Sequence, residues 1–373
     1  MAKLIEITGK AISGEWGTDD ETGDGIPVLR TTNFTNEGVV DYHKVVTRTI
    51  AKKNIEEKYL RLGDIIIEKS GGSDKQPVGR VIYFDGPENT YLFNNFTGLL
   101  RVKNPHIWFP KYVFYSLYGN YRRGGTRPFE NKTTGLHNLK IDDYVSRYEV
   151  QDNSFERQVE ISAHLDKLNS IIKMREEELI KFDELVKARF IEMFGTLKKP
   201  TQAFGMATLK ELCNKITDGK HGGCKIAEGT ERYFVGAREI YDDEVHYDSA
   251  PEIKVEEFER DHKRCNVQVG DFLIVNTGAT IGKSAIASDE RTEHTLLQKS
   301  VALLKVKKAV LNPVFLKWCY RVNTQMYMVK SASAQPNLLL SKINATTIYV
   351  PDIEIQKEFA DFVKEVDKSK FTE

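Results

Sequence analysis

The hydrophobic and polar residues of positions 1–152 alternate in short runs, which glycine, asparagine, aspartate and proline interrupt. Apolar runs at 26–30, 64–67 and 79–84 are bounded by turn-forming residues, a pattern that predicts short β-strands. Residues 108–118 predict a short helix instead, with Pro110 at its first turn. The first part of the chain is therefore predicted to be a mixed domain, mostly sheet.

Residues 154–195 follow a different pattern, without proline and without glycine before Gly195. Apolar residues recur there at steps of mostly three and four, which is the periodicity of an amphipathic helix. The stripe consists of Ile161, Leu165, Leu168, Ile172, Leu179, Phe182, Val186 and Phe190. At about 1.5 Å per residue the helix would be roughly 60 Å long, too long to bury its stripe within either flanking domain. We therefore predict a coiled-coil-type helix that needs a partner helix.

One phrase of sequence occurs twice, as Leu-Gly-Asp-Ile-Ile-Ile at 62–67 and as Val-Gly-Asp-Phe-Leu-Ile at 269–274. Each copy is followed by a glycine-bearing triplet, at 78–80 or 281–283. Later in each copy come a similar strand and then a glutamine, Gln158 or Gln356. Because the matches continue in the same order, they indicate an internal duplication that constrains both fold and function.

The duplication predicts four segments. These are a first domain at 1–153, the long helix at 154–196, a second domain at 197–352 and a C-terminal helix at 353–373. The last helix has its apolar positions at Phe359, Val363 and Val366 and is shorter than the first. The predicted fold class is α+β, with two homologous mostly-β domains joined by a long coiled-coil-type helix and a shortened second helix at the C-terminus.

Composition narrows the classes of function only slightly. The chain has 373 residues, and its 54 Lys and Arg balance its 54 Asp and Glu. This zero net charge argues against a wholly basic nucleic-acid coat protein. It does not exclude a local basic face. Its four cysteines form no Cys-x-x-Cys pair and suit a reducing cytoplasm. We find neither an apolar leader nor a run long enough to span a membrane, so a cytoplasmic protein is expected.

Three segments resemble parts of catalytic or metal sites, but each fits a structural role better. Residues 276–284 resemble a phosphate-binding loop whose first glycine is misplaced, so a shared turn is the simpler interpretation. Asn312 and Pro313 resemble the start of an amino-methyltransferase motif but also suit a helix N-cap and first turn. His221 and Cys224 form only a weak metal candidate. We therefore predict no catalytic residue, no metal and no cofactor.

Both domains contain polar loops with cations and amides, which suit binding to nucleic acid rather than catalysis. Arginine and lysine contact phosphates and guanine edges, and asparagine and glutamine can pair with adenine. Two similar domains joined by a rigid spacer would suit a two-part site on a duplex. The candidate DNA-binding residues are Lys69, Ser70, Lys75, Arg80, Arg122, Arg123, Arg127, Lys132, Lys220, His221, Lys225, Asn276, Lys283, Gln335 and Asn337.

Taken in order, these segments resemble the specificity subunit of a type I restriction-modification system. The resemblance covers nearly the whole chain, and its most specific part is the helix end at 178–195, which reads Glu-Leu-Ile-Lys-Phe-Asp-Glu-Leu-Val-Lys-Ala-Arg-Phe-Ile-Glu-Met-Phe-Gly. The other matching segments are 62–65 with Gly79, 269–273 with 281–282, 333–338, and 348–351 with Gln356.

The resemblance implies a non-catalytic protein in which each domain recognises one half of a bipartite target on double-stranded DNA. It implies that the helices pack antiparallel as a spacer and bind two methyltransferase (modification) subunits, which methylate adenine. It further implies that restriction subunits add ATP-driven translocation and cleavage.

The chain departs from the usual pattern of this family at its C-terminal helix, which is short. We therefore expect Leu179, Phe182, Val186 and Phe190 to be exposed and to be covered by a partner subunit or by a second copy of the chain. A protein-binding scaffold with two β-rich modules is the main alternative function. A self-sufficient methyltransferase or nuclease is a weaker one.

Overall fold

The computed structural model describes residues 1–51, 55–133, 136–327 and 337–371, with the backbone alone at 132, 133 and 371. It divides into two compact units, Met1–Lys173 (unit 1) and Met174–Glu373 (unit 2). Each unit combines short strands with helices, and one long helix begins in unit 1 and ends in unit 2. The predicted α+β class is confirmed.

Unit 1 contains many short strands and three short helices before the long one. Its helices are α1 (Leu4–Thr8), α2 (Pro110–Arg122), α3 (Ile141–Arg147) and the start of α4 (Phe155–Phe194). Its strands are β1 (Ala2–Lys3), β2 (Ile12–Ser13), β3 (Thr18–Asp19), β4 (Ile26–Leu29), β5 (Val46–Thr49), β6 (Ile65–Glu68), β7 (Ser70–Gly72), β8 (Val81–Tyr83), β9 (Leu92–Phe93), β10 (Thr97–Leu100), β11 (Glu130–Thr133), β12 (Leu136–Leu139) and β13 (Glu149–Val150).

Unit 2 repeats this composition. Its helices after α4 are α5 (Leu209–Leu212), α6 (Val255–Asp261), α7 (Pro313–Val322), α8 (Leu340–Ala345) and α9 (Ile353–Phe371). Its strands are β14 (Gly195–Thr196), β15 (Lys199–Pro200), β16 (Gly205–Thr208), β17 (Cys213–Asp218), β18 (Tyr233–Val235), β19 (Ile240–Tyr241), β20 (Glu244–Val245), β21 (Phe272–Val275), β22 (Ser284–Ile286), β23 (Thr295–Leu297), β24 (Val301–Val306) and β25 (Thr347–Val350).

The central sheets of the two units have the same topology. In unit 1 the order is β2-β10-β6-β8, and in unit 2 it is β17-β24-β21-β22, with antiparallel pairs throughout. Each unit also has one short parallel pair, β4 with β9 or β18 with β23. The repeated phrases form the starts of β6 and β21, whose residues are fully buried because both faces of each sheet are covered. The strands thus correspond in the order that the duplicated sequence predicts.

The repeated Gly-Asp step has a structural role in both units. The glycine has a positive φ, +89° in unit 1 and +93° in unit 2, which favours glycine at this turn. Asp64 is buried and forms an ion pair with Arg101 at 2.6 Å, and Asp271 forms one with Lys305 at 2.5 Å. Each carboxylate also accepts from the backbone N–H three residues earlier, at 2.8 Å. The carboxylates therefore hold each turn against the neighbouring strand, and neither is available to a ligand.

The glutamines that follow each domain occupy equivalent buried positions. Gln158 and Gln356 are 1% and 0% exposed. Each accepts a hydrogen bond from the backbone N–H of the residue before the helix-opening proline, at 2.8 and 2.9 Å respectively. Each amide also donates to two backbone carbonyls. Pro110 and Pro313 do stand at the first turn of α2 and α7, as predicted.

Helix α4 ends at Phe194, and Gly195 follows it with a φ of +73°, as the sequence predicts for a helix stop. Within unit 2, α9 packs antiparallel on the C-terminal part of α4. The side chains of Asp183 and Lys370 meet at 3.0 Å near one end of this contact, and those of Arg189 and Glu358 at 3.5 Å near the other. The C-terminal helix thus has a partner within its own unit.

This contact overturns part of the expectation for the stripe on α4. Val186 and Phe190 are completely buried, because Phe359 and other residues of unit 2 pack on them. Phe182 is partly buried, and only Leu179 is substantially exposed among the four residues expected to be so. Among the most exposed apolar residues of α4 are Leu168 and Ile172 in unit 1 and Ile180 in unit 2. The other predicted positions on α9, Val363 and Val366, are buried in the core of unit 2.

Candidate nucleic-acid interface

A basic cleft of about 470 Å³ lies in unit 1 at the C-terminal end of α2. Four of its lining residues are cations, and none of its described lining residues is a carboxylate. The cations are Lys75, Arg122, Arg123 and Arg127, all exposed to solvent. The helix ends at Arg122, and a turn at Gly124 with a φ of +73° leads directly to Arg127. The end of one helix therefore brings three of the predicted DNA-binding residues together.

The loop that carries Lys75 is held against this helix end by buried polar contacts. Glu130 accepts from the backbone N–H of Val78 at 3.0 Å and contacts the imidazole of His137 at 2.9 Å. Gly79 has a φ of +103°, and a Cβ there would lie 2.7 Å from the side chain of the buried Thr126. Since these contacts fix the backbone on both sides of the cleft, its shape is built into unit 1.

A second group of predicted residues lies on the edge formed by β7 and β12. Ser70 is in register with Asn138, and the Lys69 ammonium donates to Ser13 Oγ at 3.2 Å. Burial lowers the pKa of Lys69. The backbone carbonyl of Phe96 accepts from the N–H of Lys69 at 2.8 Å, while the Phe96 ring is 53% exposed. This edge therefore presents a hydroxyl, an amide and an aromatic ring.

Unit 2 has the equivalent edge, which is lined by different side chains. Thr277 is bridged to Asn337 as Ser70 is to Asn138, and the N–H of Asn276 donates to the carbonyl of Ser300 at 3.0 Å. The matching backbone bonds make Ser300 the counterpart of Phe96. A cleft of about 420 Å³ on this edge is lined by Gly222, Thr277, Gln298, Lys299, Ser300 and Asn337. The edges share a hydroxyl and an amide but differ at the neighbouring position.

Several predicted DNA-binding residues are buried or make contacts within their own unit, and their contact with DNA stays a prediction. The guanidinium of Arg80 donates to two backbone carbonyls at 2.9 Å and lies 3.6 Å from Glu68, so it is used within unit 1. Asn276 is only 4% exposed. Lys220 forms a 2.5 Å ion pair with Asp261. The partners of Arg80 and Lys220 are distant in sequence, whereas the Asn276 amide accepts from the adjacent Thr277 hydroxyl at 3.4 Å.

The other predicted positions in unit 2 are scattered. His221 and Lys225 are exposed on one loop, and Lys283 is exposed beside a different cleft that also contains Asp242 and Asp243. Gln335 lies outside the described residues. Lys132 in unit 1 is described only by its backbone, on β11.

The Cys224 thiol does not resemble a metal ligand. Its partial burial and a hydrogen bond to Glu257 raise its pKa to about 11, so the thiol is protonated at neutral pH. Within the described ranges, no group of three or more His, Cys, Asp or Glu side chains could hold a metal ion.

In the same ranges, no helix is both long and apolar enough to cross a bilayer.

Sequence reasoning missed several residues on the two edges, including Asn138 and Phe96 in unit 1 and Gln298, Lys299 and Ser300 in unit 2. A signal for some of them was present in the duplication. Asn138 and Asn337 immediately precede matching leucines, Leu139 and Leu338, whose N–H groups donate to equivalent carbonyls. Aligning the copies as far as these leucines would have identified Asn138 as the counterpart of the predicted Asn337.

Comparison with known proteins relates the C-terminal part of the chain to one family. Residues 203–373 match the family model of the type I restriction modification DNA specificity domain. No curated protein matches the chain by sequence.

Solved structures resemble the chain over nearly its whole length. The type I restriction-modification S subunit from M. genitalium is 16% identical, with a TM-score of 0.54, and the match covers 99% of this chain and 89% of that one. A chain from a study of complex assembly and conformational transition of the type I R-M system is 13% identical, with a TM-score of 0.53 and coverage of 99% and 90%. At this identity the likeness establishes the fold. Residues 203–373 are therefore similar to a type I restriction-modification DNA specificity domain, and the chain as a whole has the fold seen in the S-subunit structure.

Proposed function

We propose that this chain is the non-catalytic specificity subunit that selects a bipartite DNA target, with unit 1 binding one half and unit 2 the other. The observation that supports this most directly is the equivalent edge in both units, built on one backbone frame but lined by different side chains. Ser70 and Asn138 in unit 1 correspond to Thr277 and Asn337 in unit 2, whereas the neighbouring position is Phe96 in unit 1 and Ser300 in unit 2. Two such edges would recognise two different DNA sequences with one fold.

The side chains near these edges suit contacts with DNA. Arginine and lysine bind phosphate oxygens, which positions a protein on the duplex, whereas amides and hydroxyls hydrogen-bond to base edges. The cationic cleft of unit 1 and the amide-bearing edges of both units supply these two kinds of group. In this proposal α4 serves as the spacer between half-sites. Two modification subunits dock on the helices and methylate adenine, and restriction subunits supply translocation and cleavage.

A protein-binding scaffold remains the alternative from another class, and salt separates the two functions. Binding to duplex DNA should weaken steeply as the salt concentration rises, because each phosphate contact releases counterions. We would measure binding of the full chain to duplex DNA with a modification subunit present. An absence of duplex binding at about 50 mM salt under those conditions would rule out the proposed function.

The methylation pattern of the host genome provides the cellular test. Sequencing of methylated adenines should show a split motif with a fixed gap, and that motif should disappear when the gene for this chain is deleted. A continuous motif, or a split motif that persists after the deletion, would contradict the assignment. Deletion of an unrelated gene is the control for growth-related changes in methylation.

Replacing Asn337 by alanine should relax specificity in one half-site and leave the other unchanged. If this amide pairs bidentately with a base, the loss is about 1–3 kcal/mol, equivalent to roughly 5- to 150-fold in affinity. The equivalent substitution Asn138→Ala should affect the opposite half. Binding to duplexes mutated in either half measures both effects, and equal losses on both halves with either variant would contradict the division of labour.

A further inference from the structure

Three of the four cations of the unit 1 cleft have uncharged counterparts in unit 2. When residues are counted from the prolines that open α2 and α7, Arg122 and Arg123 correspond to Gln325 and Met326. Met326 is only 4% exposed and belongs to the core of unit 2. By this count, two guanidinium groups at the end of α2 correspond to an amide and a buried thioether, which lie in a short 3-10 helix just after α7.

The opposite wall of the cleft differs in the same way. Lys75 lies four residues before the positive-φ glycine of its turn, and the residue at that place in unit 2 is Gly278. The counterpart of Arg127 by the same count is Lys330, which lies outside the described residues. Three of the four cations of the unit 1 cleft are thus replaced by uncharged residues.

Unit 2 also neutralises the cations that it does have near this turn. Lys283 lies in a cleft with Asp183, Asp242 and Asp243. Arg321, on the same cleft, pairs with Asp243 at 2.7 Å and with Asp183 at 3.2 Å. Since carboxylates oppose its cations, this part of unit 2 is a poor site for a polyanion.

We infer that the unit 1 cleft binds the phosphodiester backbone of the DNA and that the described residues of unit 2 form no such phosphate-binding cleft at the equivalent place. The inference rests on the proposed function. It adds that the two homologous units differ in the cations that they offer to the DNA backbone. Guanidinium groups suit phosphate oxygens because they can donate two parallel hydrogen bonds to them. The amides of Asn36 and Gln76 and the hydroxyl of Tyr121, which also line the cleft, supply uncharged donors. A contact with the backbone strengthens binding to any sequence and does not choose between bases.

The test is the salt dependence of binding by the full chain, with a modification subunit present, to two duplexes of unrelated sequence. In the Arg122→Ala/Arg123→Ala variant, affinity should fall on both duplexes by the same factor. The plot of log affinity against log salt should become shallower by about 1–2, because each lost phosphate contact removes about 0.9 from the slope. Gln325→Ala, the matched change in unit 2, should leave the slope as it is.

A second control tests whether net charge alone explains the effect. Arg157→Ala/Lys167→Ala removes two exposed positive charges from α4. If this variant reduces the slope of log affinity against log salt as much as the cleft variant does, the inference that the cleft binds phosphate is overturned. An unchanged slope in the cleft variant, beside a salt-dependent wild type, would overturn it while leaving the proposed function intact. If the wild type binds no duplex at low salt, the proposed function fails and the inference fails with it.

A free anion is the other possible source of phosphate for this cleft. Titration with inorganic phosphate, followed by NMR signals of the arginine side chains, would detect such a site. Saturation at low millimolar phosphate together with an unchanged DNA slope in the cleft variant would identify a small-anion site and overturn the inference. Weak phosphate binding together with a reduced slope supports the inference.

Discussion

Phe190→Ala is expected to reduce the free energy of unfolding of unit 2 by about 3–5 kcal/mol, because truncating a fully buried phenylalanine removes apolar contacts and leaves a cavity. The Phe190 ring is 0% exposed and lies 5.0–5.6 Å from the rings of Phe194, Phe315 and Phe359. These rings come from α4, α7 and α9, so one side chain supports the contact among three helices.

Denaturant unfolding, with hydrogen exchange to locate the effect, measures this loss. Ile180→Ala is the matched control, since Ile180 is on the same helix but 60% exposed, and such surface changes usually alter stability by less than about 0.5 kcal/mol. The expected result for Phe190→Ala is lost protection in α9 and α7, with unit 1 unaffected. Equal stability of the two variants would show that the α4–α9 contact is not a structural core.

Asp64→Ala is expected to cost about 3–5 kcal/mol in unit 1, because it leaves Arg101 without its carboxylate in a largely buried position. Asp64 is 2% exposed and accepts from Arg101 Nε at 2.8 Å and from Nη2 at 2.6 Å. It also accepts from the N–H of Arg61, so the turn that precedes β6 loses its cap. The guanidinium retains two backbone carbonyls as partners, which should keep the loss toward the lower end of the range.

The duplication offers a matched experiment for this effect. Asp271→Ala removes the corresponding pair with Lys305, and its destabilisation should appear in unit 2 alone. Asp64→Asn should cost less than Asp64→Ala, since its amide oxygen can still accept from Arg61. Hydrogen exchange of β6 and β21 distinguishes the two sites. If Asp64→Ala leaves the exchange of β6 unchanged, the repeated phrase is not the structural element that these contacts indicate.

Much of the framework could be predicted from the sequence because it depends on local patterns. The periodic stripe of α4, the glycine that ends it and the prolines that open α2 and α7 are each defined by residues within a few positions of one another. The order of the duplicated segments similarly predicted two central sheets of one topology. The exposure of the stripe was not predictable in this way, because it depends on where α9 packs.

The residues of the candidate site differ in the same way, because their availability to a ligand depends on partners that are distant in sequence. Arg80 and Arg122 are both arginines near glycine in polar segments, and no local pattern distinguishes them. In the folded chain, Arg80 turns inward to backbone carbonyls far away in sequence, whereas Arg122 stands exposed in a cationic cleft. Lys220 is likewise neutralised by Asp261, which is distant along the chain.

The sequence by itself determined the duplication, the strands and helices, and the capping groups that hold each turn, because short-range spacing and residue type encode these features. Only the tertiary structure decided which cations and amides remain available to a ligand. Pairing partners are brought together by long-range packing, and that packing brings Asn138 and Asn337 to equivalent edges while it gathers three arginines in the cleft of unit 1.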